Sequence, residues 1–353
     1  MNESLANITA AGSSGVEASQ QPTATSTYTI DVELLLTSTV YGLTFLVGMI
    51  GNSLIVYSVL HFRRMKSLSN IFLASLATAD LMLIIFCVPV KFAQLFSYTW
   101  TFGVFLCKFV HYIQNLTAIC SVYTLTAMSI ERYYAIMYPV ECRYICTISQ
   151  TKRIIFATWL GSIILALPAL WIQILYKVGN NERFAYWCVR DWYTHPHVWK
   201  LYELYMLTII LIIPLIIMTY SYAHICKKLW FVISNRTSEF PMAATHQSVY
   251  IDASTNKMSQ VIKMLIVVII IFVLCWTPIL VVNVLMAFGV YPILNYGYLK
   301  AFKTTFHLLS YANSCVNPII YGFMSRNFRA SFKAALTKCL GCKRNSHDQT
   351  QVF

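Results

Sequence analysis

Seven apolar runs, at about 34–61, 69–97, 104–138, 150–175, 200–230, 259–289 and 298–323, constrain this chain more than any other feature. Each reaches the roughly 20 residues a helix needs to cross the hydrocarbon core of a bilayer. They are too many for signal sequences and too long for ordinary core helices. With 58% hydrophobic and only 11% charged residues, and a mean hydropathy of +0.61, the chain falls outside the globular class, where about 25% charge is usual. No basic stretch precedes an apolar core at the N-terminus, so the first run is expected to direct membrane insertion itself. The expected class is an all-α membrane protein.

The third run organises the rest. From Cys107 to Arg132 a helix rises about 37 Å at 1.5 Å per residue, enough to join two aqueous compartments. Its apolar middle is broken by Gln114, Asn115, Cys120, Ser121 and Thr124, which lipid disfavours and a bundle interior accommodates. Pro89, Pro168, Pro214, Pro278 and Pro318 lie inside five other runs. Kinks are expected there, with neighbouring helices re-satisfying the freed carbonyls.

The net charge of +13 admits nucleic acid or anionic membrane as a partner, so its distribution matters. With the N-terminus outside, 18 of the 26 Lys and Arg fall on the cytoplasmic side, as the bias towards positive inner loops requires. No nucleic-acid stripe is present. Residues 1–33 are rich in Ser, Thr, Ala and Gln and read as a disordered extracellular tail, and Asn2 and Asn7 sit in glycosylation sequons. Asn115 and Asn235 also sit in sequons but fall in a membrane run and the cytosol.

The expected layout continues with a membrane domain at 34–324, an amphipathic helix at 325–338 and a cytoplasmic tail at 339–353. In the amphipathic segment Phe328, Phe332, Ala335 and Leu336 share one face, suited to an anionic inner leaflet. Cys339 and Cys342 follow it, either as palmitoylation sites or as free thiols. Most of the eleven cysteines read as small buried hydrophobes rather than a zinc site.

Gly51-Asn52, Leu76-Ala77-Thr78-Ala79-Asp80, Glu131-Arg132-Tyr133, Trp159, Pro214 with Tyr222, Cys275-Trp276-Thr277-Pro278 and Asn317-Pro318-Ile319-Ile320-Tyr321 follow one another through the seven runs. Together they resemble the signature set of rhodopsin-like G-protein-coupled receptors, over about residues 34–340. Within that family the third helix, Tyr144-Ile145-Cys146-Thr147 and Met324 to Arg329 look most like neuropeptide receptors, near thyrotropin-releasing-hormone-receptor-like and related invertebrate receptors. The resemblance implies a seven-transmembrane-helix bundle at the plasma membrane. It also implies a peptide ligand, a heterotrimeric G protein (Gq and calcium favoured), and arrestin and receptor kinases as further partners.

Carried onto this sequence, the resemblance implies an allosteric sodium ion held by Asp80, Ser121, Asn313 and Asn317, although a polar network around a neutral Asp80 is the plainer alternative. It assigns an activation relay to Glu131, Arg132, Tyr133, Tyr222, Trp276, Pro278, Asn317, Pro318 and Tyr321. Met258 stands where many members have an acid facing the arginine, so part of the family's ionic latch is missing. Cys107 and Cys188, the two cysteines on the oxidising face, are expected to form a disulfide over the bundle mouth.

Gln114 takes the place of the aspartate that amine receptors carry, which disfavours amines and suits an amide. Lys91, Gln94, Glu203, Leu280, Asn283, Lys303, His307 and Tyr311 complete the expected ligand region. Lys91 and Lys303 are equally open to a snorkelling role, and Glu182, Asp191 or Glu203 to meeting a basic ligand group. A small non-peptide ligand, or a seven-helix transporter, is the alternative. A transporter is disfavoured because no internal duplication is visible. Neither His-Glu-x-x-His nor Gly-x-Ser-x-Gly occurs, so no enzyme chemistry and no cofactor beyond the sodium ion is expected.

Overall fold

The computed structural model describes residues 24–97, 99–179, 184–238, 246–292 and 298–339. Asn2, Asn7, Glu182 and Cys342 therefore lie outside the described residues, as does the side chain of Met258. The long helices are α1 (Ala24–His61), α2 (Leu68–Phe86), continued by α3 (Val88–Gln94), and α4 (Gly103–Met137). After the short α5 (Pro139–Ile145) come α6 (Ile148–Ala166) and its extension α7 (Pro168–Ile172). A hairpin of β1 (Gln173–Gly179) and β2 (Phe184–Arg190) leads into α8 (Pro196–Leu207) and α9 (Ile213–Ser238). Then follow α10 (His246–Ala287), α11 (Tyr298–Met324) and α12 (Arg326–Cys339).

Two compact units are distinguished, Met1–Thr39 and Val40–Phe353. The described part of the first is helical from Ala24, where a disordered tail was expected up to 33. Propagating a helix from an apolar segment into polar residues needs no new nucleus. Ser38 and Thr39 hydroxyls donate back to the Leu35 carbonyl at 3.0 and 2.7 Å, keeping their polar groups satisfied along the helix.

In the second unit, local chemistry sets the helix boundaries. Ser67 and Thr147 accept from the backbone N–H groups of Asn70 and Gln150, capping α2 and α6. Pro139, Pro168 and Pro196 open α5, α7 and α8, where a missing N–H removes no helical bond. One turn before Pro214 the backbone widens to a π segment, Thr208–Ile212, which absorbs the proline's lost donor and clash.

Among the described residues, five helical stretches are long and apolar enough to cross a membrane: Leu34–His61, Leu68–Gln94, Ile148–Ile172, Pro196–Phe231 and Gln260–Ala287. α4 and α11 hold the polar residues instead. Leu160, Ile164, Leu201 and Ile216 remain exposed. Apolar side chains exposed at this density face lipid, not water.

α4 packs against α2, α6, α9 and β1, and α10 packs against α11 and α8. The core between them includes Phe72, Leu76, Ile119, Val122, Met128, Phe272 and Trp276. A smaller outer cluster joins Leu83, Cys87, Val110 and Ile113 to Tyr41 and Tyr311.

The fourth apolar run was expected to stay helical to 175. The helix instead stops at Ile172, and Gln173 begins β1, paired antiparallel with β2 from Gln173↔Arg190 to Gly179↔Phe184. The hairpin ties its neighbours down: Cys188 is bonded to Cys107 at the top of α4, and Trp100 N–H donates to Tyr186 O at 2.7 Å. A second cysteine pair was not expected: Cys142 and Cys146, four residues apart at α5, are also bonded.

Candidate functional site

Three polar levels run through the bundle. At the outer level, the Tyr311 hydroxyl donates to Gln114 Oε1 at 3.0 Å, joining α11 to α4. Asn115 donates to the Tyr202 hydroxyl at 2.8 Å, joining α4 to α8. Glu203, only 1% exposed, is ion-paired to Arg190 Nη1 at 2.7 Å and accepts from Trp199 Nε1 at 2.9 Å, both on Oε1. Arg190 also lies over the Tyr202 ring, 5.7 Å from its centroid.

The disulfide places the end of β2 beside α4, and that is how Arg190 reaches α8. Below it, His111 Nδ1 faces the Cys107 carbonyl at 2.8 Å and Nε2 faces the Lys91 ammonium at 3.4 Å. Lys303 has Arg190, Lys91 and Glu203 as its charged neighbours.

The structure thus brings together Gln114, Lys91, Glu203, Lys303, His307 and Tyr311 of the expected ligand set. Leu280 and Asn283 are buried on α10 and Gln94 is half-buried at the end of α3, but no hydrogen bond among the described residues ties Gln94 or Asn283 to that group. Arg190 and His111 were missed. In the sequence Arg190 is one of eight outer cations, and only its position two residues after Cys188 hints that a disulfide would carry it inward. Of the acids expected to meet a basic ligand group, Glu203 is taken by Arg190. Asp191 is engaged by Thr194 N–H at 2.9 Å and His195 Nδ1 at 3.0 Å. Burial works to raise the Asp191 pKa, but these partners outweigh it and hold the carboxyl below its ordinary value.

At the middle level Asp80 is 2% exposed and accepts from Asn317 Nδ2 at 2.8 Å and from the Ser314 hydroxyl. Asn52 donates to the Gly48 and Ser314 carbonyls at 2.9 and 2.8 Å. A Cβ on Gly51 would sit 2.5 Å from Pro318 Cβ, so only glycine lets α1 come this close to the proline turn of α11. Ser121 and Asn313 are buried on α4 and α11. All the partners described for Asp80 are neutral. A buried carboxylate amid hydroxyl and amide oxygens suits a small hard cation.

At the inner level Arg132 Nη2 donates to the Ser69 hydroxyl. Its Nε lies 2.8 Å from Glu131 Oε2, yet neither atom finds a well-aligned hydrogen bond; the contact is one of charge without alignment. Tyr133 packs among Tyr134, Tyr138, Tyr220 and His224. Lys228 donates to the Ile136 and Met137 carbonyls at the end of α4, where a cation is favoured. Trp159 donates to Ser75 at 3.0 Å, which fixes α6 on α2. Trp276 stacks on Phe272, while its Nε1 and the Tyr321 hydroxyl are buried without a hydrogen-bond partner among the described residues. A cavity of about 380 Å³ opens beside Arg132, lined by Ser67, Glu131, Ala135, Pro139, Cys142 and Arg143 among others.

The sequence model of the 7 transmembrane receptor (rhodopsin family) matches residues 51–321, most of the chain. This chain belongs to the rhodopsin family of seven-transmembrane receptors. Among relatives of this rhodopsin-family receptor, galanin receptor type 1 of Rattus norvegicus is 31% identical, covering 90% of this chain and 86% of its own length. Galanin receptor 2b of Danio rerio is 33% identical over 91% and 80%, and a QRFP-like peptide receptor of Branchiostoma floridae is 30% identical over 88% and 79%. These support the peptide-receptor branch and do not bear on the likeness to thyrotropin-releasing-hormone receptors. They are receptors, not enzymes.

Proposed function

We propose that this rhodopsin-family member is a plasma-membrane receptor for an extracellular peptide, acting on a heterotrimeric G protein, with its N-terminus outside. The observation that carries the ligand class is the outer pocket: Gln114 and Tyr311 form a neutral donor–acceptor pair where an amine would need a carboxylate, and the acid in reach, Glu203, is occupied. An amide group meets both halves of such a pair. The relatives named for galanin and a QRFP-like peptide agree with this reading.

Signalling is a shift between two conformations. In the one described, Arg132 is held by Glu131 and Ser69. Burying a polar atom without a partner costs about 1–3 kcal/mol, so Trp276 Nε1 and the Tyr321 hydroxyl stand to gain partners in the other. A ligand that favours that other state frees Arg132 towards the G protein, through Trp276, Pro278, Asn317, Pro318, Tyr321, Tyr222 and Tyr133. Gq and calcium release are the favoured output.

A sodium ion held by Asp80, Ser121, Asn313 and Asn317 supplies the missing countercharge to the buried carboxylate when bound. The segment after α11, whose Phe328 and Ala335 are buried against protein, Phe328 beside Tyr321, lies along the inner leaflet, and Cys339 with Cys342 takes palmitate there. Asn2 and Asn7 carry glycans, and arrestin and receptor kinases act on the inner face. The test is a neuropeptide-library screen with calcium and cyclic-AMP readouts on cells expressing the full chain. Activation by a peptide supports the reading; activation only by a non-peptide compound overturns it.

A further inference from the structure

Among the described residues, the outer polar level holds more positive charge than it neutralises. Lys91 on α3, Arg190 at the end of β2 and Lys303 on α11 are close enough to interact electrostatically. The acid described among them is Glu203, whose Oε1 is spent on Arg190 and Trp199. That leaves two ammonium groups unmatched.

Lys91 does not turn towards headgroups; its Nζ points at His111 on α4. The His111 Nδ1 faces a carbonyl, which can only accept, so the ring proton is on Nδ1 and Nε2 presents a lone pair. A neutral imidazole steers the ammonium and cancels none of its charge. Lys303 has no carboxylate within salt-bridge distance among the described residues, and its charged neighbours are Arg190 on the hairpin, Lys91 on α3 and Glu203 on α8. One turn further along α11, His307 Nδ1 is buried without a hydrogen-bond partner among the described residues. Lys91, Lys303 and His307, which act on one another electrostatically, are thus each unsatisfied or half-satisfied among the described residues, and Lys303 and His307 share α11 with Tyr311.

We propose that Lys91 and Lys303 form a carboxylate-binding subsite, so that the ligand enters with an anionic group which these two ammoniums take, with His307 as an additional hydrogen-bonding partner. This rests on the peptide reading above and narrows it. The carboxylate is either a free C-terminus or an Asp or Glu side chain. Charge-assisted hydrogen bonds to a carboxylate are about twice as strong as neutral ones, so replacing it with an amide has a readable effect.

The experiment uses cells expressing the full chain and a peptide library in which every sequence is present as free acid and as C-terminal amide, and every Asp or Glu has an Asn or Gln twin. A panel of non-peptide carboxylates, amines and neutral compounds accompanies it. The active peptide is expected to lose about tenfold or more in potency when its carboxylate is neutralised, and the twin that fails identifies the source. In Lys91→Gln and Lys303→Gln the difference between twins shrinks to about threefold or less, whereas Lys303→Arg and the outer Lys108→Gln retain it; surface staining normalises each variant. Equipotent acid and neutral twins on the unmodified receptor overturn the inference and leave the peptide reading standing. Activation only by a non-peptide carboxylate that depends on both lysines does the reverse. Activation only by amines or neutral compounds, or silence across the whole set from a receptor present at the surface, overturns both.

Discussion

The Tyr311 hydroxyl donates to Gln114 Oε1 at 3.0 Å, so α4 and α11 meet at the outer polar level through a neutral hydrogen bond. A ligand amide can replace that bond on either side. With a net worth of about 1 kcal/mol for such a bond, and more where a buried polar atom is stranded, Gln114→Ala is expected to weaken the potency of a peptide agonist by about tenfold. Tyr311→Phe shifts potency in the same direction. Both leave surface expression intact. Unchanged potency in calcium dose–response curves would remove Gln114 from the pocket.

Asp80 provides the second prediction. If its carboxylate holds sodium together with Ser121, Asn313 and Asn317, sodium lowers agonist affinity relative to a large organic cation, and Asp80→Asn abolishes the difference. Radioligand binding in the two salts measures this. Equal affinity in both salts for the unmodified receptor points instead to a plain polar network around Asp80.

Gly51 is a packing requirement. A methyl group there would overlap the Pro318 ring, which is tied to its own backbone and cannot swing away, and overpacking of this kind costs about 1–3 kcal/mol. Gly51→Ala should lower the thermal midpoint of the purified receptor, while Gly42→Ala, where nothing lies within 4 Å, should not. Equal midpoints would sink the close-approach argument.

The Arg190–Glu203 pair predicts a charge-swap cycle. Glu203→Gln strands Arg190; a fully buried partner loss costs about 3–5 kcal/mol, and less here because the arginine side chain keeps 28% exposure. Arg190→Glu is worse, since it sets two acids together. The double exchange, Arg190→Glu with Glu203→Arg, should recover part of the lost thermal stability. Additive losses would mean that the two residues act separately.

Arg132 is held by Glu131 beside it on α4 and by Ser69 on α2, and Met258 stands where many family members place an acid. Measurable signalling without ligand is the expected outcome, lowered by Met258→Glu. A cell assay showing no basal signal above empty vector removes this expectation.

The seven spans, their order and the residues at each level could be read from the sequence, because a membrane helix reports itself through local composition and because motifs such as Glu131-Arg132-Tyr133 lie within a few residues of each other. The Cys107–Cys188 bond was also legible, since few cysteines compete on the outer face. The hairpin was not. Gln173 to Leu175 reads as the end of an apolar helix and Tyr176 onward as loop, and only antiparallel pairing of Gln173–Gly179 with Phe184–Arg190 makes the segment a strand.

Sequence by itself determined that this protein is a membrane bundle of the rhodopsin family, and which side chains stand at the outer, middle and inner levels. Tertiary structure alone decided who partners whom: Arg190 with Glu203, Lys91 with His111, Tyr311 with Gln114, Asn317 with Asp80. The physical reason is distance along the chain. Hydropathy acts over a single helix, whereas charges and hydrogen bonds between helices are matched only after packing brings the helices together, and that matching leaves Lys91 and Lys303 without an acid partner among the described residues.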